Sequence, residues 1–247
     1  MMRAAGLAPK KSLGQNFLFD LNLTRKIARA VPDLEKSVVL EVGSGPGGLT
    51  RALLECGAKK VVAVEKDKSA APILEQIQHA AAGRLEIIYG DALNLPELEF
   101  DAICANLPYN VGTELLIKWL HNTKIKSMTL MFQKEVAERI VARPKTKQYG
   151  RLSVLAALGW KPKILFNVPN TAFVPPPKVQ SAVVQIAPTG EHYHMEKIEK
   201  LTALLFGQRR KMIRGILPDV DWAKFGLAGT ERAEELSPET FARIARG

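Results

Sequence analysis

Short apolar runs rich in β-branched residues recur along the first two thirds of the chain, and stretches with helical spacing lie between them. The runs are Val38–Val42, Lys60–Glu65, Leu85–Tyr89, Asp101–Asn106 and Ser127–Phe132. Their length and near-continuous apolar character suit strands covered on both faces. Helical spacing appears near residues 48–56, 68–82 and 112–122. It also appears at 21–31, where Leu23, Ile27, Ala30 and Val31 share a face before Pro32 blocks continuation. This alternation predicts a doubly wound, mostly parallel sheet. Two further helices are expected over 133–142 and 149–160. The pattern then changes. Residues 162–168 and 180–187 read as two strands flanking a stiff turn around Phe173-Val174-Pro175-Pro176-Pro177-Lys178. A connection this short requires them to pair antiparallel. From about residue 190 strand signals stop, and 196–217, 219–225 and 230–246 read as short helices broken at Pro218 and Gly226. The expected division is a sheet domain over 1–188 and a small all-helical domain over 189–247.

Composition narrows the classes. At 247 residues the chain can hold one large α/β domain with a small appendage, and 47% hydrophobic with 24% charged residues excludes general disorder. No apolar run reaches the ~18–20 residues of a bilayer span, and no apolar core follows the basic residues at the N-terminus. The expected location is therefore the cytoplasm, and a monomer is expected, although the sequence itself does not fix the oligomeric state. Cys56 and Cys104, both in apolar stretches, make no disulfide framework, and the four histidines show no zinc spacing, so no metal is expected. Charge adds more. The net charge of +10 is segregated: +5 over residues 1–31, −6 over 32–117, +9 over 118–163, and +1 over each of 164–188 and 189–247. A polyanion against part of the surface explains such blocks, and so does a solvated basic face.

Two constellations carry chemistry. Glu41-Val42-Gly43-Ser44-Gly45-Pro46-Gly47-Gly48 follows a strand and opens a helix. Its glycines permit a tight turn and close approach to a ligand, and the helix amides offer donors. Gly43, Gly45 and Gly48 also satisfy the dinucleotide fingerprint of a dehydrogenase. Glu41 just before the turn and Pro46 inside it disfavour a phosphate ligand. Glu65 ends the next strand, where a carboxylate can accept from both hydroxyls of a ribose. Asp91, after the third strand, is placed either to touch an adenine or to cap its own turn. The second constellation is Asn106-Leu107-Pro108-Tyr109, at the carboxyl end of the fourth strand, the edge where open α/β sheets bind ligands. An exocyclic amine of a base is a poor nucleophile because its lone pair is conjugated into the ring. Acceptors on its N–H groups disperse the charge that develops when it attacks. The Asn106 side-chain oxygen and the Leu107 carbonyl are two such acceptors, Pro108 fixes the turn, and Tyr109 offers a face for stacking.

Six motifs in order carry a resemblance over about residues 10–217. They are Gly14-Gln15-Asn16-Phe17-Leu18, Glu41 to Gly48, Val64-Glu65, Gly90-Asp91-Ala92, Asn106 to Asn110, and Phe173 to Ala182. The chain resembles the ribosomal RNA adenine dimethyltransferases of the small subunit, the KsgA type. The resemblance implies a class I methyltransferase (Rossmann-like) fold with a mostly parallel seven-stranded sheet, an antiparallel terminal hairpin and a small all-α C-terminal domain. It implies S-adenosylmethionine as donor and S-adenosylhomocysteine as product. The implied acceptors are two adjacent adenines near the 3′ end of small-subunit ribosomal RNA, dimethylated at N6 during subunit biogenesis. Asn16, Leu18, Gly43, Gly45, Glu65, Lys66, Asp91, Ala92 and Asn106 are the implied donor-binding residues. Asn106, Leu107, Pro108 and Tyr109 would hold the acceptor amine, and Phe173 would stack on the flipped base. Lys10, Lys11, Lys145, Lys147, Arg209, Arg210, Lys211 and Arg214 are expected on RNA phosphate. The alternatives are the related large-subunit methylase of macrolide resistance, which shares the core chemistry, a non-catalytic RNA assembly module, and a nicotinamide dehydrogenase. The short, nearly neutral C-terminal part departs from the family and leaves its share in docking open.

Overall fold

The computed structural model describes residues 15–96 and 98–247. Strand β1 (Phe17–Leu18) leads into α1 (Leu21–Ala28), then β2 (Val38–Val42), α2 (Gly48–Glu55), β3 (Lys60–Glu65), α3 (Ala71–Ala80), β4 (Leu85–Tyr89), β5 (Ala102–Asn106), α4 (Gly112–Leu120) and β6 (Ser127–Gln133). There follow α5 (Lys134–Ile140), α6 (Arg151–Ala157), β7 (Trp160–Val168), β8 (Phe173–Val174), β9 (Ser181–Pro188), α7 (Met195–Gly207) and α8 (Pro238–Arg246). Two compact units result. One runs through Ala137 and resumes over Lys163–Ala187, and the other comprises Glu138–Pro162 and Pro188–Gly247.

The first unit is built on a seven-stranded sheet of order β4-β3-β2-β5-β6-β9-β7. The pairs β2–β3, β3–β4, β2–β5 and β5–β6 are parallel, while β9 runs antiparallel to β6 with Gln133 opposite Ser181. The near-continuous apolar runs have the burial expected of such strands, with Val39, Leu40, Val61, Val62, Ile103 and Leu130 almost wholly covered. Helix boundaries follow local chemistry. The Asp20 carboxylate caps α1 by accepting from the Asn22 and Leu23 amides at 2.9 and 3.1 Å, and Pro32 lies just beyond its end. The strand order reverses at β2, between β3 and β5, so the carboxyl ends of these strands and of β4 border one crevice.

The structure departs from the sequence-based outline in two places. The stiff segment between β7 and β9 is not simply a turn. Its Phe173 and Val174 pair antiparallel with Leu18 and Phe17, forming a separate two-stranded sheet. The expected division at 188/189 also puts all of 138–162 in the sheet domain, whereas these residues cluster with the C-terminal segment. The reason is an aromatic core. Tyr149, fully buried, meets Phe206 edge-on at 5.9 Å between centroids, and Phe206 stacks on Phe241 at 5.5 Å. The Tyr149 hydroxyl also donates to the Leu236 carbonyl at 2.8 Å.

Candidate active site

One pocket in the first unit is bordered by the carboxyl ends of β2, β3 and β5, the loop after β4, the start of α2 and strand β1. Its walls include Asn16, Leu18, Gly43, Gly45, Glu65, Lys66, Asp91 and Ala92, and also Asn106, Leu107, Pro108 and Tyr109. Residues from five separate stretches of sequence therefore converge as expected. The convergence rests on the turn after β2. Gly45 has φ of +50°, and a Cβ there would lie 2.9 Å from the Phe17 ring. At Gly48 a Cβ would lie 2.5 Å from the Leu18 carbonyl oxygen. Glycine is thus required both by the backbone conformation and by the close approach of β1.

Glu65 is buried, with Oε2 accepting from the Gly45 amide and Oε1 from the Asp67 amide, each at 2.7 Å. Burial raises its pKa above the usual carboxylate value, and these two N–H groups oppose the rise. A carboxylate oxygen has room for more than one donor, so both remain able to accept further hydroxyls. Glu41 is more deeply buried, and its pKa is pushed up to about 8 by desolvation, with the charge of Glu65 adding to it. The Thr50 side chain and amide lie on the opposing side of that balance. Even so, neither Glu41 Oε2 nor the Thr50 hydroxyl closes a hydrogen bond. Asp91 does cap its turn, accepting from the Leu93 amide at 3.0 Å, while its second oxygen holds Lys66 Nζ at 2.7 Å. The hydrogen bond from Lys66 is the main reason its pKa is lowered.

At the end of β5, Asn106 Nδ2 donates to the Asn16 carbonyl at 3.1 Å. This bond fixes which end of the amide is nitrogen and leaves Oδ1 as an acceptor. The Leu107 side chain is buried. The Tyr109 hydroxyl shares a 2.7 Å hydrogen bond with the buried Ser181 Oγ, which pins the phenol ring from its far end. Nothing in the sequence marks Ser181 as a site residue, although it lies within the run that carries the resemblance. Its only signal is spatial, since 72 residues separate it from Tyr109. Gln15 is a second omission: it lines the pocket and donates to Asp67 at 3.2 Å.

Two of the expected site residues have other surroundings in the structure. Phe173 does not reach the pocket wall. Its ring is 2% exposed and packs in the main hydrophobic core, because pairing of β8 with β1 turns it inward. Arg209 is not a free cation. Its Nε is bonded to the Glu234 carboxylate and its Nη2 to the Thr146 and Lys147 carbonyls at 3.4 and 3.2 Å. Lys145, Lys147, Arg210, Lys211 and Arg214 are exposed, and among the described residues none of their side chains closes an ion pair. Lys10 and Lys11 lie outside the described residues.

The family described as Ribosomal RNA adenine dimethylase matches residues 6–246. A Ribosomal RNA small subunit methyltransferase A from Chelativorans sp. (strain BNC1) is 52% identical, across 98% of this chain and 94% of its own length. Among solved structures, a dimethyladenosine transferase from Plasmodium falciparum superposes with a TM-score of 0.81 at 26% identity, covering 92% of this chain and 95% of that one. The 23S rRNA methyltransferase ErmE shares the fold, with a TM-score of 0.70 at 24% identity over 94% of this chain and 98% of its own.

Proposed function

The chain belongs to the ribosomal RNA adenine dimethylase family, and from that premise we propose which of its residues carry the reaction and on which atoms. It is an S-adenosylmethionine-dependent methyltransferase of small-subunit ribosomal RNA. The acceptors we infer are the N6 amines of two adjacent adenines near the 3′ end of that RNA, each taking two methyl groups.

The pocket fits the donor. The glycine turn after β2 lies against the start of α2, and a buried carboxylate at the end of β3 keeps acceptor capacity on both oxygens. Glu65 would accept from the ribose hydroxyls. Asp91, held by its own turn and by Lys66, would face the adenine with Ala92, and Asn16, Leu18 and Gly43 would close over the remainder. S-adenosylmethionine supplies a methyl group made electrophilic by its sulfonium. On the acceptor side, Asn106 Oδ1 and the Leu107 carbonyl accept from the amine N–H groups, two at the first transfer and the one that remains at the second. They stabilise the positive charge that develops there more than they stabilise the ground state. Pro108 holds the turn, and the Tyr109 ring supports the extruded base. No covalent nucleophile is needed.

The observation that carries this reading is the Asn106–Asn16 hydrogen bond, which leaves an acceptor at the strand end beside a pinned aromatic ring. Lys145, Lys147, Arg210, Lys211 and Arg214 would contact phosphate, positioning RNA without reading sequence. We place the reaction in the cytoplasm; no helix among the described residues is long and apolar enough to cross a membrane. The test is methyl transfer from tritiated donor to unmethylated small subunits, large subunits and naked RNA in parallel. Label should enter small-subunit RNA as N6,N6-dimethyladenosine. Label confined to large-subunit RNA would instead assign the chain the specificity of the macrolide-resistance methylases.

A further inference from the structure

Two cationic loops of the second unit are joined through one half-exposed hub. The loop over residues 143–148 carries Lys145 and Lys147, and the loop over 208–214 carries Arg210, Lys211 and Arg214, all exposed. Arg209 lies between the two sets. Its guanidinium spends one N–H on the Glu234 carboxylate and another on the Thr146 and Lys147 carbonyls. Glu234 acts twice, because its backbone carbonyl also accepts from the Lys145 amide at 2.8 Å. Lys145 has φ of +68°, in the left-handed region that a side chain disfavours. Such a backbone persists only where its surroundings over-determine it, and here Glu234 and Arg209 supply those surroundings from either side.

We propose that Arg209 and Glu234 are a positioning pair that holds the 143–148 and 208–214 loops together as one phosphate-binding surface. Arg209 itself makes no RNA contact. This rests on the reading above that the exposed cations of these loops meet RNA. Lysine cannot take the place of Arg209, because its single nitrogen lacks the planar fork that reaches a carboxylate and two carbonyls at once.

The proposal makes an electrostatically counterintuitive prediction. Glu234→Ala removes a negative charge from beside a cationic surface, and simple attraction to RNA would then rise. If Glu234 positions the loops, binding falls instead. Arg209→Lys keeps the charge, so a direct phosphate contact would survive it largely intact, whereas loss of positioning would not. The measurement is binding to unmethylated small ribosomal subunits across a salt series for wild type, Arg209→Lys, Glu234→Ala and the double variant Lys145→Ala/Lys147→Ala. Each neutralised phosphate contributes roughly 0.9 to the log–log salt slope on a duplex and roughly 0.7 on a single strand. The slope should therefore drop by about 1–2 in the double-lysine variant and by a comparable amount in each of the other two. Backbone hydrogen exchange over 143–148 should quicken in Arg209→Lys, with donor affinity serving as the control that the first unit is folded. An unchanged slope in the double-lysine variant would take the 143–148 loop off the RNA and overturn the proposal that the two loops act as one surface. A reduced slope there, together with tighter binding by Glu234→Ala and unchanged binding by Arg209→Lys, would overturn the positioning pair alone.

Discussion

Glu41 and Glu65 sit one strand apart at the pocket and solve burial differently. Glu65 accepts two backbone N–H groups, whereas Glu41 has an oxygen without a partner. The Glu41 pKa rises to about 8 from an ordinary value of 4.5, so the folded chain holds the carboxyl neutral where the unfolded chain would ionise it. The stability that comes with the neutral form is complete below pH 4.5 and is lost as pH rises to about 8. Glu41→Gln, neutral throughout, should match wild type at acid pH. It should then gain on wild type by up to about 1.4 kcal/mol per pH unit across the window, a few kcal/mol in total. Urea unfolding at pH 5 and pH 8 measures this, and parallel losses in the two proteins would contradict the assignment. Much of the site was legible at this scale. Asn106, Glu65, Asp91 and the glycines could be chosen because each ends a recognisable strand or opens a turn. Ser181 could not, because nothing local distinguishes a serine that anchors a distant tyrosine from one that merely starts a strand.

Pairing between elements decides what Phe173 does. The Pro-rich run marks a stiff connection, but its contact with β1 joins segments about 155 residues apart through strands of two residues each. A pairing so short and so distant leaves no periodic trace, and without it the ring looks available for a base. With it, Phe173 belongs to the core. Phe173→Ala should cost about 3–5 kcal/mol, the usual loss for a buried phenylalanine, and Phe173→Leu should recover most of that together with activity. Unfolding midpoints and methyl-transfer rates on the same preparations provide the check. An Ala variant as stable as wild type but unable to methylate would return Phe173 to the acceptor base. The parallel strands, by contrast, were readable almost to the residue, since burial on both faces makes them continuous apolar runs bounded by turn residues.

For the molecule as a whole, charge and chain order were informative and domain membership was not. The basic block over 118–163 is plain in sequence, yet its latter part folds with residues 188–247 around Tyr149, Phe206 and Phe241. Sequence order cannot reveal that a segment inserted before β7 packs with one that follows β9. The first unit holds the pocket, and exposed cations lie on two loops of the second. The claim that joins them is that Asn106 acts on the amine during transfer rather than on RNA capture. The direct measurement is single-turnover methylation of unmethylated small subunits by wild type and Asn106→Ala, at donor and subunit concentrations saturating for each, with subunit binding measured in parallel. The account predicts a rate lower by roughly 10²–10³-fold, the scale of losing one aligned transition-state hydrogen bond, with subunit affinity within a few-fold of wild type. A normal saturated rate combined with lost subunit binding would contradict it.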